Sequence, residues 1–149
     1  MSACELCHWD PARTVGTEWN FQGSLAVKWH GGKLVPAPWS TNQLGGNSKR
    51  HFLYRRYRDA LADYLAPWLN RVPHAQRFRA GIITRHWGKG ARAFDQENLI
   101  GGCKPLIDVL RQYGAIIDDS PSYWRGYYQQ QKSTTTEASF SIRLLEFEY

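Results

Sequence analysis

A long stripe of apolar residues at helical spacing constrains the fold more than any other feature of the sequence. Between residues 47 and 69 the large apolar side chains recur every three or four positions, at Phe52, Leu53, Tyr57, Leu61, Tyr64, Leu65 and Trp68. This spacing predicts one long helix, with Asn47 or Ser48 as its N-cap and Pro67 distorting or ending it. The apolar face of such a helix must be covered by a second layer of structure.

Several segments rich in β-branched and aromatic residues can supply that second layer. The predicted strands are a short hairpin over 25–30 and 33–35, a strand over 78–87, and two final strands over 123–130 and 138–147. Residues 115–117 are expected to form a short strand or an extended segment. Residues 1–24 have little periodicity and are interpreted as an irregular N-terminal extension.

A second helix is predicted to begin near Lys104, because Pro105 suits a first helical turn. Gly114 suits the position after the last turn. The chain of 149 residues has the size of one ordinary domain. We therefore predict a single α+β domain, with a mixed or mainly antiparallel sheet and two helices on one face.

The net charge of +6 favours a polyanionic partner. Nucleic acid is the expected partner, since no apolar run approaches the roughly 18 residues that a membrane span needs. The segment Met1–Glu5 does not resemble the start of a signal peptide, so a cytoplasmic location is expected.

The basic residues are concentrated between Lys49 and Arg92. In the segment 85–92 two glycines allow close approach of the backbone to a ligand, and Arg85, Lys89 and Arg92 are predicted to contact nucleic acid. The predicted long helix carries Arg55 and Arg56, which either contact phosphate or belong to a solvated helix face.

An acidic segment follows the basic one. If residues 95–98 are extended, the carboxylates of Asp95 and Glu97 point to the same face, and Asp118 or Asp119 can supply a third carboxylate. Oxygen ligands of this kind suit Mg²⁺. Simpler interpretations remain open: Asp95 as an N-cap, Asp119 in a turn, and Lys104 with Asp108 as a surface pair on a helix.

These residues also form a motif. Its parts are Asp95-Gln96-Glu97-Asn98-Leu99, then Lys104 with Asp108-Val109-Leu110, then Gly114, then Asp118-Asp119. The motif resembles that of the RusA family of phage-derived Holliday-junction resolvases: Asp-x-Asp-Asn-Leu, a Lys four residues before Asp-x-Leu, a Gly, and a paired Asp-Asp. With the order of strands and helices, the resemblance covers residues 25–147.

The resemblance implies a crossover-junction endodeoxyribonuclease that cuts four-way DNA symmetrically, in recombination and repair, as a homodimer using Mg²⁺, with Mn²⁺ as a substitute. It implies that Asp95, Glu97 and Asp119 ligate the metal, with Asp118 as a further candidate. Lys104 would be a catalytic or phosphate-contacting cation, and Asn98 would support the site or touch DNA. The implied setting is a bacterial or phage-infected cell.

Two departures from the family pattern affect these expectations. Glu97 stands where the family usually has Asp, which moves the carboxylate outward by one methylene. Three extra residues lie between Asn98 and Lys104, and on a helix they would turn Lys104 by about 300°. We expect Gly101-Gly102 to form a loop or bulge that restores the register. A non-catalytic DNA-binding protein of the same fold is the alternative.

The three cysteines are Cys4, Cys7 and Cys103, and they are expected to be reduced thiols. Cys4, Cys7 and the adjacent His8 resemble half of a zinc site. No second pair of closely spaced cysteines follows, so a structural Zn²⁺ ion is not expected.

Overall fold

The fold is built on a mixed β-sheet. The computed structural model describes residues 15–44, 51–135 and 137–148. Its elements in chain order are β1 (Val15–Gly23), β2 (Ala26–Lys28), a 3₁₀ turn (His30–Gly32), β3 (Leu34–Pro36), α1 (Thr41–Leu44), α2 (His51–Leu69), β4 (Arg79–Trp87), α3 (Gln96–Gly102), α4 (Lys104–Gln112), β5 (Trp124–Lys132) and β6 (Ser139–Phe147).

Four strands pair in the order β1-β6-β4-β5, and the hairpin β2–β3 forms a separate two-stranded sheet. The β1–β6 and β6–β4 pairs are antiparallel, whereas β4 and β5 are parallel. A parallel pair needs a crossover connection, which here contains α3 and α4. The predicted α+β fold with a mixed sheet is confirmed.

The core lies between the helices and one face of the sheet. Leu61 and Leu65 of α2 and Leu110 of α4 are buried with Ile83 of β4 and Ile142 of β6 in one cluster. Burying apolar surface is the main stabilising term in such a fold. The helical spacing that predicted α2 and α4 therefore corresponds to the faces that these helices turn inward.

The helix boundaries agree in part with the sequence. Gly114 follows α4 with a φ of 74°, as a residue after a last turn should. Pro67 lies inside α2, which continues to Leu69. The predicted N-caps Asn47 and Ser48 lie outside the described residues. None of the described helices combines the length and the apolar composition that crossing a bilayer needs.

Two predictions for the sheet were wrong. The segment Val15–Gly23, expected to be irregular, forms the edge strand β1, which pairs with β6. Trp19 and Phe21 alternate with polar neighbours along it and pack against the core, and this alternation was the missed signal. Residues 115–117 form bends rather than a strand, with Ala115 and Ile116 buried after α4.

A buried arginine joins three distant parts of the fold. The Nε of Arg79 donates to a carboxylate oxygen of Glu146 at 2.9 Å, and its Nη1 donates to the carbonyl oxygens of Pro73 and Ala115 at 2.7 and 3.0 Å. Its guanidinium lies 4.4 Å from the ring centre of Trp19. Arg79 is only 2% exposed, so these partners replace the water that the charge gives up.

Candidate functional site

Asp95 is the N-cap of α3. One carboxylate oxygen accepts from the backbone N–H of Asn98 at 2.8 Å, and the other accepts from the Nδ2 of Asn98 at 2.9 Å. Residues 96–98 are helical, so the condition of an extended segment is not met, and the N-cap alternative is confirmed. The cause is local: a capping carboxylate satisfies an N–H group that a helix would otherwise leave unpaired.

This helix changes the relation between Asp95 and Glu97. Successive helical residues are about 100° apart, so side chains at i and i+2 point in different directions. Glu97 lies exposed in the first turn of α3, and Asn98 beside it is half-buried. The same-face arrangement predicted for the two carboxylates is therefore not present.

The glycine pair lies within α3 and does not form the predicted loop or bulge. The helix α3 ends at Gly102, Cys103 joins the two helices, and α4 starts at Lys104. A Cβ on Gly102 would overlap the carbonyl oxygen of Trp39, and one on Gly101 would overlap the hydroxyl of Thr41. The glycines thus allow α3 to lie against residues 39–41.

Thr41 stabilises this contact between α3 and residues 39–41 by hydrogen bonds to the start of α3. Its hydroxyl oxygen lies 3.2 Å from the carbonyl oxygen of Asn98, to which it donates, and 3.5 Å from that of Glu97. The side chain of Gln96 donates to the carbonyl oxygen of Tyr128 on β5 at 3.1 Å. The start of α3 is therefore held between β5 and the segment that leads into α1.

Lys104 and Asp119 line one open cleft, which we call the Lys104 cleft. It has a volume of about 640 Å³ and lies between α3, α4 and β5, with Ile100, Ile107, Arg125 and Tyr128 also in its walls. Two residues that the motif separates by more than a dozen positions are thus brought to one concave surface. Asp95, Glu97, Asn98 and Asp118 are not among its lining residues.

Asp118 has a different environment from Asp119. The backbone N–H of Asp119, the hydroxyl of Ser120 and the nearby guanidinium of Arg111 hold the pKa of the Asp118 carboxyl below its usual value. The Arg111 Nη1 lies 3.3 Å from a carboxylate oxygen of Asp118. Asp118 therefore accepts its hydrogen bonds within its own turn and from the end of α4.

The carboxylates are not gathered into one cluster. Over residues 15–44, 51–135 and 137–148, no three Asp, Glu, His or Cys side chains form a group that could hold a metal ion. The donor types of Asp95, Glu97 and Asp119 suit a hard cation.

Cys4, Cys7 and His8 lie outside the described residues, and Cys103 is a buried free thiol whose pKa burial raises to about 12.

Arg85, predicted to contact nucleic acid, is buried and hydrogen-bonded within the protein. It is 8% exposed, and its Nη1 donates to the carbonyl oxygen of Arg92 at 2.9 Å and to the Oε1 of Gln130 at 3.1 Å. Its guanidinium lies 3.5 Å from the ring centre of Phe94. Burial lowers the pKa of Arg85 to about 10. This side chain holds the basic loop in place.

The other predicted cations are at the surface. Lys89 and Arg92 are exposed beside Gly90, whose φ of 87° forms the bend of the loop. Arg55 and Arg56 are exposed on α2, and the Arg56 guanidinium lies 4.6 Å from the ring centre of Phe52. These four side chains can approach a phosphate backbone without leaving an internal partner unpaired.

Two residues of this region were missed from the sequence. Arg125 adds a second cation to the Lys104 cleft. Gln130 bonds both backbone polar groups of Phe94: its Oε1 accepts from the N–H at 3.0 Å, and its Nε2 donates to the carbonyl oxygen. Neither residue carries a sequence signal, because both roles depend on which residues β5 meets.

Comparison with known proteins adds no assignment. No protein-family model matches the chain, and no curated protein matches it. The resemblance to the RusA family stays a prediction that rests on the motif.

Proposed function

We propose that the protein is a magnesium-dependent, structure-specific endodeoxyribonuclease that cuts four-way or other branched DNA, acting as a homodimer. The observation that carries this proposal is the shared cleft of Lys104 and Asp119, two residues that the motif had singled out as cation and metal ligand. The cleft is open and carries a second cation, Arg125, so a phosphate group can enter it and be attracted there.

The cleft residues have distinct roles in this proposal. Lys104 and Arg125 bind the non-bridging oxygens of the scissile phosphate and offset the charge that grows on them during attack by water. Asp119 in the cleft and Asp95 and Glu97 at the start of α3 carry the oxygen ligands that would hold Mg²⁺, and binding the ion would require these carboxylates to come together. When bound, this ion supplies Lewis acidity and an acidified water. Asn98 holds the Asp95 carboxylate in a fixed orientation.

The exposed cations extend the contact surface for DNA. Lys89 and Arg92 lie on the loop that leads into Asp95, and Arg55 and Arg56 lie on α2. Each cation that neutralises a phosphate releases counterions, so binding should weaken steeply as the salt concentration rises. A dimer would present two clefts, one to each of two opposed strands of a junction.

Cleavage of a synthetic four-way junction in Mg²⁺ or Mn²⁺ tests this function. Asp119→Asn and Lys104→Ala should each reduce the cutting rate by about 10²-fold or more, because each removes one charged partner of the transition state. Asp63→Asn is the matched control, since Asp63 is an exposed acid on α2. Cutting by Asp119→Asn at the wild-type rate would refute the proposal.

A non-catalytic DNA-binding protein is the second candidate. It is favoured by one observation: both oxygens of Asp95 are hydrogen-bonded to Asn98, and Asp95 lies outside the cleft that holds Asp119. This candidate predicts that the wild-type protein binds junctions tightly and leaves every strand intact in both metals. The same gel assay therefore separates the two functions.

A further inference from the structure

We propose that a second cavity, the hairpin groove, binds an unpaired nucleobase of the DNA. This proposal rests on the proposed nuclease function and adds to it a reason for choosing branched DNA. The hairpin groove has a volume of about 280 Å³ and lies between β3 and the loop residues 91–94. It is separate from the Lys104 cleft, with which it shares no lining residue.

The loop wall of the hairpin groove is held firmly. Gln130 bonds the N–H and the carbonyl oxygen of Phe94, and the same side chain accepts from Arg85. Arg85 in turn bonds the carbonyl oxygen of Arg92 and stacks on the Phe94 ring. A wall that is bonded at both ends of the segment 92–94 can keep its shape when a ligand enters, which lowers the cost of binding.

The lining of the groove suits an apolar group that is joined to a negative charge. Leu34, Pro36 and Ala93 give it apolar surface, and Lys33 and Arg92 add exposed positive charge. None of the described residues that line it is acidic. A nucleobase attached to a phosphate backbone combines these two properties, and burying its apolar faces in the groove would favour binding.

The position of the groove connects it to the proposed cleavage site. Its wall ends at Phe94, and the next residue is Asp95, about 3.8 Å away from one Cα to the next. A base in the groove would therefore lie against the loop that leads into Asp95, one of the acids of the proposed site. Only an unstacked base can enter, and extracting one from an intact duplex costs a few kcal/mol. Branched DNA, which has unstacked bases at its branch point, avoids this cost.

The test uses four-way junctions that carry 2-aminopurine at one position at a time around the branch point. The protein is the Asp119→Asn variant, so that the junction stays intact. We expect one position to change its fluorescence at least twofold on binding. Ala93→Leu fills the groove at an exposed residue and should abolish that change, whereas Ala26→Leu, at an exposed alanine outside the groove, should keep it.

A second pair of variants tests the wall. Gln130→Ala removes the bonds that hold the loop and should reduce the fluorescence change by half or more. Gln131→Ala removes a neighbouring glutamine whose side chain bonds His86 instead of the loop, and it should leave the change intact. As a control, the melting temperature of each variant is measured to test that the protein is folded.

The outcomes separate this inference from the proposed function. If wild-type protein cuts junctions and no 2-aminopurine position responds, or if the response survives Ala93→Leu, the groove does not bind a base and the nuclease proposal stands. If wild-type protein neither binds nor cuts junctions, both proposals are wrong.

Discussion

Gly102→Ala tests whether the close contact between α3 and residues 39–41 fixes the position of the candidate site. The new Cβ would overlap the carbonyl oxygen of Trp39 and would lie 2.8 Å from its carbonyl carbon and 2.9 Å from the Cα of Ser40. Comfortable carbon contacts are about 3.5–4.0 Å. Since the obstacle is the backbone of the buried residues Trp39 and Ser40, α3 itself must move away.

The cost can be estimated from two opposing terms. Alanine is favoured over glycine inside a helix by about 1 kcal/mol. Overpacking costs about 1–3 kcal/mol, and a clash with backbone belongs at the upper end of that range. The expected net destabilisation is about 2 kcal/mol, which for a domain of this size lowers the melting temperature by about 4–8 °C.

Urea unfolding and calorimetry measure this effect, and Gly101→Ala provides the matched control. The Cβ of that variant meets the hydroxyl of Thr41, a side-chain group that can rotate away. Gly101→Ala combined with Thr41→Ala should be as stable as the wild type, or up to about 1 kcal/mol more stable. If Gly102→Ala also unfolds at the wild-type urea concentration, α3 does not approach residues 39–41 as described.

Three further predictions concern other parts of the fold. Glu146→Ala leaves the buried Arg79 charge without its carboxylate partner and should destabilise the protein by about 3 kcal/mol. Adding Arg79→Met should recover most of this loss in the free energy of unfolding measured with urea. If the effects of the two substitutions simply add, the two side chains are not coupled, which would contradict this reasoning. Asp95→Ala removes a helix cap and should lower the free energy of unfolding by about 1 kcal/mol. Asp95→Asn should keep the stability of the wild type and lose junction cutting. An Asp95→Asn variant that cuts at the wild-type rate refutes a role for this carboxylate in the reaction. Burial raises the pKa of the Cys103 thiol to about 12, so in a protein whose other two cysteines are serine it should resist iodoacetamide at pH 9 until urea is added. Because only the unfolded thiol ionises between pH 9 and 12, stability should also fall across that range, and a rise would contradict the assignment.

The sequence predicted best where one periodic pattern extended over many residues. The helices α2 and α4 and the strand β6 each turn a row of apolar residues into the common core, and this burial leaves a repeated spacing of apolar residues. The edge strand β1 was missed because only Trp19 and Phe21 pack on the core, which is too short a pattern to stand out. Residues 95–98 were misjudged because two local preferences competed, and helix capping by Asp95 prevailed over an extended form.

The candidate site was predictable only in its motif residues. Lys104 and Asp119 belong to the motif, and their meeting in one cleft depends on the turn between α4 and β5. Gln130 could not be predicted, because its role depends on the parallel register that sets it beside Arg85 of β4. That register joins residues far apart in the chain and leaves no local pattern. The requirement for glycine at positions 101 and 102 likewise comes from contacts with residues 39–41, which lie more than fifty positions earlier in the chain.

The place of β6 in the sheet has a consequence for how the chain folds during synthesis. β6 pairs with β1 on one side and with β4 on the other, although it follows both in the sequence. The ion pair between Glu18 and Arg143 closes a separation of 125 residues. As the ribosome releases the chain, β1 and one edge of β4 stay without this partner until residues 139–147 emerge. Open strand edges of this kind favour aggregation, so the nascent protein should depend on chaperones until β6 is made.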